Sequence, residues 1–210
     1  MADGVLGLLL AGGASRRLGT DKAALTLPGG RLSFAEQGRR LLAEAGLEVL
    51  IAARDAERAA RLLPGCPAAA DGPGSGPAAG LLGAHAAFPR AGLLALACDM
   101  PAVPPELLRH LAGLAGDWVV PAWAGADGEE RLEPLCALYR PPALEALARR
   151  VAAGAFELRG LAAESGLRIR RLGRGELERF GPPEAIFANV NRPADLEALA
   201  ALRQAPCPPD

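Results

Sequence analysis

Lysine is almost absent from this chain. Of its 23 basic residues, 22 are arginine and Lys22 is the single exception. A compact ammonium on a flexible stem enters a tight phosphate pocket that a planar guanidinium cannot. A solitary lysine among arginines therefore marks a place where arginine would not serve, with chance survival as the alternative until its neighbours are considered. Cysteine is sparse too. Cys66, Cys98, Cys136 and Cys207 lie far apart and form no C-x-x-C pair, which argues against a disulfide scaffold or a zinc site and for a reducing, cytoplasmic setting. No apolar run approaches the ~20 residues that span a bilayer. The apolar N-terminal stretch has no basic residue ahead of it and runs into a glycine-rich loop, so it reads as a buried strand rather than a signal peptide. Excess charge is missing as well: 23 basic residues face 24 acidic ones for a net charge of -1. They are mixed along the chain without a basic stripe, which argues against nucleic-acid binding. Only two histidines occur, and no internal repeat.

What is present is apolar material for a core. Hydrophobic residues make up 50% of the 210, enough for one substantial domain and incompatible with wholesale disorder. Residues 1–203 read as that domain and 204–210 as a loose tail. Short apolar runs alternate with helical segments, the pattern of an α/β domain with a largely parallel sheet. Val5–Leu10, Glu48–Ala53 and Gly92–Ala97 read as buried strands. Ser33–Gly46 reads as a helix opened by a capping box, Ser33 with Glu36. Asp55–Leu63, Leu81–Phe88 and Pro104–Leu114 read as further helices, and Ala70–Gly80 as a functional loop rather than a linker. Beyond these, Trp118–Pro121 and Leu135–Tyr139 are expected strands with a turn at Gly125–Glu129. Pro141–Gly166 is expected to be mostly helical, Arg168–Leu172 an edge strand, Ala185–Asn189 a last strand and Pro193–Arg203 a closing helix.

The chemistry gathers where strands end. The first strand empties into Leu10-Ala11-Gly12-Gly13-Ala14-Ser15-Arg16-Arg17-Leu18-Gly19-Thr20-Asp21-Lys22. A glycine pair there lets backbone N–H groups turn toward an anion with no Cβ in the way. Arg16, Arg17 and Lys22 add positive charge, so the segment reads as a triphosphate cradle that offsets charge on a leaving pyrophosphate. Taken alone, Gly-Gly with nearby arginines is also a plain surface turn. The loop is neither G-x-G-x-x-G nor G-x-x-x-x-G-K-[ST], which disfavours a dinucleotide-binding Rossmann domain and a P-loop NTPase. Asp99 follows Gly92–Ala97 directly, on the strand edge where α/β folds bind ligands. A carboxylate there suits Mg²⁺, which takes one or two carboxylates plus phosphate oxygens. Helix N-capping is the competing role, but the next helix begins too far along. Asp71, with the glycines after it, is placed to accept hydrogen bonds from a base or ribose; a plain surface loop is the other reading. His85 and His110 fall within helices and read as structural.

On these motifs the chain resembles the molybdenum cofactor guanylyltransferases, within the larger group of sugar-nucleotide-type nucleotidyltransferases. LAGGASRRLGTDKAAL is similar to their L-A-G-G-x-S-x-R-x-G-x-D-K signature, ACDMPAVPPELL to their metal aspartate and trailing proline, and GPAAG (Gly76–Gly80) to G-P-L-x-G. EPLCALYR resembles their middle strand and NVNRPADL (Asn189–Leu196) their closing motif. The resemblance implies a three-layer α/β/α, Rossmann-like domain with a mostly parallel central sheet. It implies that molybdopterin phosphate attacks the α-phosphate of GTP, giving the guanine dinucleotide cofactor and pyrophosphate. By position, it implies nucleotide contacts at Leu10, Ala11, Gly12, Gly13 and Asp71, phosphate binding by Lys22, Mg²⁺ on Asp99, and a pterin-facing role for Asn189 and Asn191. Lys22, Asp99 and Arg17 are the implied catalytic residues. The implied partners are GTP and molybdopterin, with molybdenum cofactor delivery proteins or acceptor molybdoenzymes as protein partners, and neither nucleic acid nor membrane. The chain departs from the pattern at Ala52-Ala53, where some members carry an asparagine that touches the nucleotide.

Because the acceptor phosphate is already a nucleophile at neutral pH, such a reaction needs positioning and charge neutralisation rather than a dedicated general base. Two other functions would share the loop chemistry: a cytidylyltransferase acting on molybdopterin or another phosphorylated acceptor, and a nucleotide-binding module without catalysis. Gly12 favours guanine, since relatives that use cytidine tend to read A-A-G.

Overall fold

A computed structural model describes residues 4–11, 22–27, 31–125 and 127–190. Four strands form the parallel core of the sheet: β1 (Val5–Leu10), β2 (Val49–Ala53), β3 (Ala68–Ala70) and β4 (Gly92–Ala97). β5 (Trp118–Ala124), β6 (Glu130–Leu132), β7 (Cys136–Tyr139) and β8 (Ile169–Leu172) extend it. The order is β3-β2-β1-β4-β7-β5-β6, with β8 paired to β5. β1 runs parallel to both β2 and β4, and β2 to β3. β7 is antiparallel to β4 and to β5. The sheet is therefore mixed around a parallel core rather than parallel throughout. β8 is the edge strand expected of Arg168–Leu172, parallel to β5.

Strand alternation builds a layer on each face. Leu9, Ile51, Leu94, Leu96 and Val119 point to one side, against α1 (Phe34–Glu44), α2 (Ala56–Leu62) and α4 (Pro105–Gly113). Leu8, Leu10, Leu50, Leu93 and Ala95 point to the other, against α3 (Pro77–Ala87), α5 (Pro141–Ala152) and a 3₁₀ turn at Leu158–Ala163. The outcome is the three-layer α/β/α arrangement. α1 begins as its local chemistry dictates. Ser33 accepts from the Glu36 N–H, and the Glu36 carboxylate accepts from the Ser33 N–H at 2.7 Å; this local bonding holds the Glu36 carboxyl below its ordinary pKa.

Several expectations fail in detail. α3 begins at Pro77, inside the stretch read as a loop, leaving only 71–76 irregular; proline fits the first turn of a helix because its missing N–H has no partner there anyway. Ala185–Asn189 is not a strand. Pro182-Pro183 start a single helical turn, α7 (Pro183–Ile186), after a similar turn, α6 (Arg174–Leu177). A short buried apolar run carries no period that separates the two. The 130–132 strand, pairing back on β5 as a hairpin, was not anticipated. The expected helix at 193–203 and the tail at 204–210 lie outside the described residues. No helix among those described is long and apolar enough to cross a membrane.

Candidate active site

Parallel strands bring their C-terminal ends to one edge, and the sequence places its charged loops there. The Cys98 N–H donates to the Leu10 carbonyl at 3.2 Å and the Ala11 N–H to the Ala52 carbonyl at 3.1 Å. Leu10, Ala11, Ala53 and Asp99 therefore share that edge. Leu10 and Ala11 are buried, so only their backbone is placed to meet a ligand. The Lys22 ammonium meets Asp99 Oδ2 at 3.1 Å across 77 positions of sequence, both side chains partly shielded from water. Lys22 opens a 3₁₀ turn (Lys22–Ala24) that leans on the start of α1, and its ammonium lies 5.8 Å from the centre of the Phe34 ring. Phe34 packs with Ala102 and Val190 in a small cluster of its own. That cluster ties together three segments that bear on the ion pair. Gly12, Gly13, Arg16, Arg17 and Asn191 fall outside the described residues.

Asp99 does not cap a helix, since Pro104 occupies the N-cap position of α4. Its backbone carbonyl accepts from the Val190 N–H at 2.9 Å, which carries exposed Asn189 to the same place. The structure thus brings Lys22 and Asp99 into contact and sets the backbone of Asn189 next to Asp99. Asp99 is a partly shielded carboxylate at the ends of the parallel strands, of the chemical type that could hold a hard divalent cation. Among the described residues no three His, Cys, Asp or Glu side chains cluster into a metal cage.

Asp71 stands two strands beyond β1, just after β3; its N–H donates to the Ala53 carbonyl at 3.1 Å. With neighbouring strands ~4.8 Å apart, three spacings set Asp71 about 14 Å from Asp99 along the edge. α3 crowds it: a Cβ on Gly80 would stand 3.7 Å from Asp71 Oδ1. Loss of surrounding water pushes the Asp71 carboxyl above its ordinary pKa, against the pull of Arg58 and Arg54. His85 and His110 sit in α3 and α4, and His110 packs its ring against Phe180 at 5.4 Å.

On the other side of β4 the sequence had marked only a strand. Because β7 runs antiparallel, the segment that leads into it, Glu133-Pro134-Leu135, arrives at the same edge. The Leu135 carbonyl accepts from the Ala97 N–H at 2.9 Å. Burial pushes the Glu133 carboxyl up to about 7, with Asp99 adding repulsion and Arg159 opposing it. Glu133 is a functional candidate that the motifs named only as part of a strand.

A three-layer α/β/α domain that pairs Lys22 with Asp99 at the ends of its parallel strands is the setting of a nucleotidyltransferase. The MobA-like NTP transferase domain matches residues 7–168. Two similar proteins are a molybdenum cofactor guanylyltransferase of Cereibacter sphaeroides, 39% identical over 94% of this chain and 96% of its own length, and a probable molybdenum cofactor guanylyltransferase of Chloroflexus aggregans, 36% identical over 93% of each. Among solved structures, molybdopterin-guanine dinucleotide biosynthesis protein A of Archaeoglobus fulgidus superposes with a TM-score of 0.74 at 26% identity, over 95% of this chain and 98% of that one. This chain belongs to the MobA-like NTP transferase family, among its molybdenum cofactor guanylyltransferases.

Proposed function

We propose that the chain transfers GMP from GTP to the phosphate of molybdopterin, forming the guanine dinucleotide cofactor and releasing pyrophosphate. One observation carries this reading from the structural side: Lys22 and Asp99 meet at 3.1 Å on the strand edge where the glycine-rich loop ends. GTP lies along the ends of β1, β2 and β3, with its base or ribose toward Asp71 and its phosphates toward Lys22. The amides of Leu10–Gly13 grip phosphate oxygens, and Arg17 and Lys22 offset charge on the departing pyrophosphate. Asp99 would hold Mg²⁺, which supplies Lewis-acid neutralisation of the phosphates when bound. Asn189 and Asn191 face the acceptor, whose phosphate attacks without a protein base. Molybdenum cofactor delivery proteins and acceptor molybdoenzymes are the protein partners such a reaction calls for.

The test is pyrophosphate release by purified protein with magnesium, molybdopterin and each NTP in turn. GTP is expected to support release and the others to fall well behind. Preference for CTP would replace the reading with a cytidylyltransferase. Binding without release for any NTP would leave only a nucleotide-binding module.

A further inference from the structure

Lys22 meets more than Asp99. Its ammonium lies over the Phe34 ring, 5.8 Å from the centre, within the distance at which a ring face attracts a cation. The lysine side chain is only 14% exposed, and the attraction strengthens as water is shut out. Local bonding fixes Phe34 in this place. Ser33 and Glu36 close the capping box that starts α1, so Phe34 is its first helical residue. The Phe34 N–H donates to the Leu25 carbonyl at 3.0 Å, the Leu27 N–H to the Leu32 carbonyl at 2.9 Å, and Thr26 bridges Ser33. The turn that opens with Lys22 is closed by the Leu25 N–H on the Lys22 carbonyl at 3.1 Å, so these bonds lash that turn to the start of α1. The buried ring also packs with Ala102 and Val190, and the Val190 N–H donates to the Asp99 carbonyl at 2.9 Å. One side chain thus bears on both members of the ion pair.

We infer that Phe34 is a positioning residue for the phosphate-binding lysine, its ring face holding the Lys22 ammonium beside Asp99. The inference rests on the functional reading above and adds a residue that acts through Lys22. The reason lies in what each kind of partner takes from the cation. A carboxylate offsets the ammonium's charge and occupies one of its donors. A ring face attracts the ammonium through its quadrupole, adds no net charge, and leaves the N–H donors for phosphate oxygens. Lysine carries its charge on a flexible stem, and a fixed ring narrows where that stem can go. An aliphatic side chain of similar bulk fills the same space beside Ala102 and Val190 but offers no such face.

Lys22 is its own probe, because it is the single lysine of the chain. Protein made with isotope-labelled lysine gives one magnetic-resonance signal from the methylene beside the ammonium, and the current of a nearby ring shifts it from its value in free lysine. The signal is recorded, and titrated with GTP and magnesium to obtain Kd, in wild type, in Phe34→Leu, and with trifluorophenylalanine in place of Phe34. The trifluoro ring keeps the packing while draining charge from its face, so it serves even if Phe34→Leu fails to fold. The expected result is a shifted signal in wild type that moves to the free-lysine position in Phe34→Leu. The Kd for GTP is expected to rise about fivefold with the trifluoro ring, the factor equal to ~1 kcal/mol, with the urea midpoint and the KM for molybdopterin unchanged. A wild-type signal at the free-lysine position, or a wild-type Kd with the trifluoro ring, overturns the inference. Pyrophosphate release is followed in the same preparations. Its absence with every NTP in wild type overturns the functional reading, while the lysine signal and the GTP Kd still decide the role of Phe34. A wild type that binds no GTP overturns both.

Discussion

At the scale of single residues, the site contrasts two carboxylates at the same sheet edge. Asp99 is held by an ammonium at 3.1 Å, while Glu133 is half-buried and leans on one backbone N–H. Burial raises the Glu133 pKa from 4.5 to about 7, so the folded state keeps this proton to higher pH than the unfolded chain does. The sign follows: its contribution to stability is complete below pH 4.5 and is lost as pH rises through about 7. Glutamine imitates the protonated form throughout. Glu133→Gln is therefore expected to gain stability relative to wild type between those limits and to stay more stable at pH 8, as read by urea denaturation across the range. A constant difference at every pH would show that Glu133 keeps an ordinary carboxyl. Asp117 shows the opposite case: a two-pronged bond from Arg168 holds its carboxyl below the usual range and fastens β5 to the segment entering β8.

At the scale of elements, α3 comes very close to β3, beside Asp71. A Cβ on Gly83 would overlap the Ala70 carbonyl, and the Gly72 N–H already binds the Ala79 carbonyl at 2.8 Å. Gly83→Ala must push the helix off the strand end that carries Asp71. The expected cost is about 1–3 kcal/mol in urea denaturation, the usual range for overpacking, with a raised KM for GTP and an unchanged KM for the acceptor. Wild-type stability would show that the helix shifts freely. Elements of this kind were legible to different degrees. α1 was readable because Ser33 and Glu36 close their bonds within one turn, and β4 because six consecutive buried residues have no other use. β3 and β6 span three residues each, too short for any period to register. The direction of β7 depends on pairing with β4 and β5, which no local spacing encodes.

The whole molecule divides its sheet edge at Asp99. The candidate nucleotide residues lie in the first half of the chain, where the loop motif named Leu10, Ala11 and Lys22, the end of β4 named Asp99, and the glycine-rich stretch after β3 named Asp71. The cavity beside Glu133 draws on β5, the β6 hairpin, the 3₁₀ turn near Arg159 and the segment up to Phe187. Those pieces meet only in three dimensions, so neither Trp123 nor Arg159 carried a signal, and Glu133 was visible only as the start of a strand. Between the two flanks sits the pair on which the account depends, Lys22 and Asp99 working on one polyphosphate. A double-mutant cycle on kcat/KM for GTP, using Lys22→Ala, Asp99→Ala and both together, tests this most directly. Each single change is expected to lose ~10²-fold or more, and the double variant to fall little below the worse of the two, as for groups that act as a unit. Losses that multiply, to about 10⁴-fold in the double variant, would mean the two residues act independently and would contradict the account.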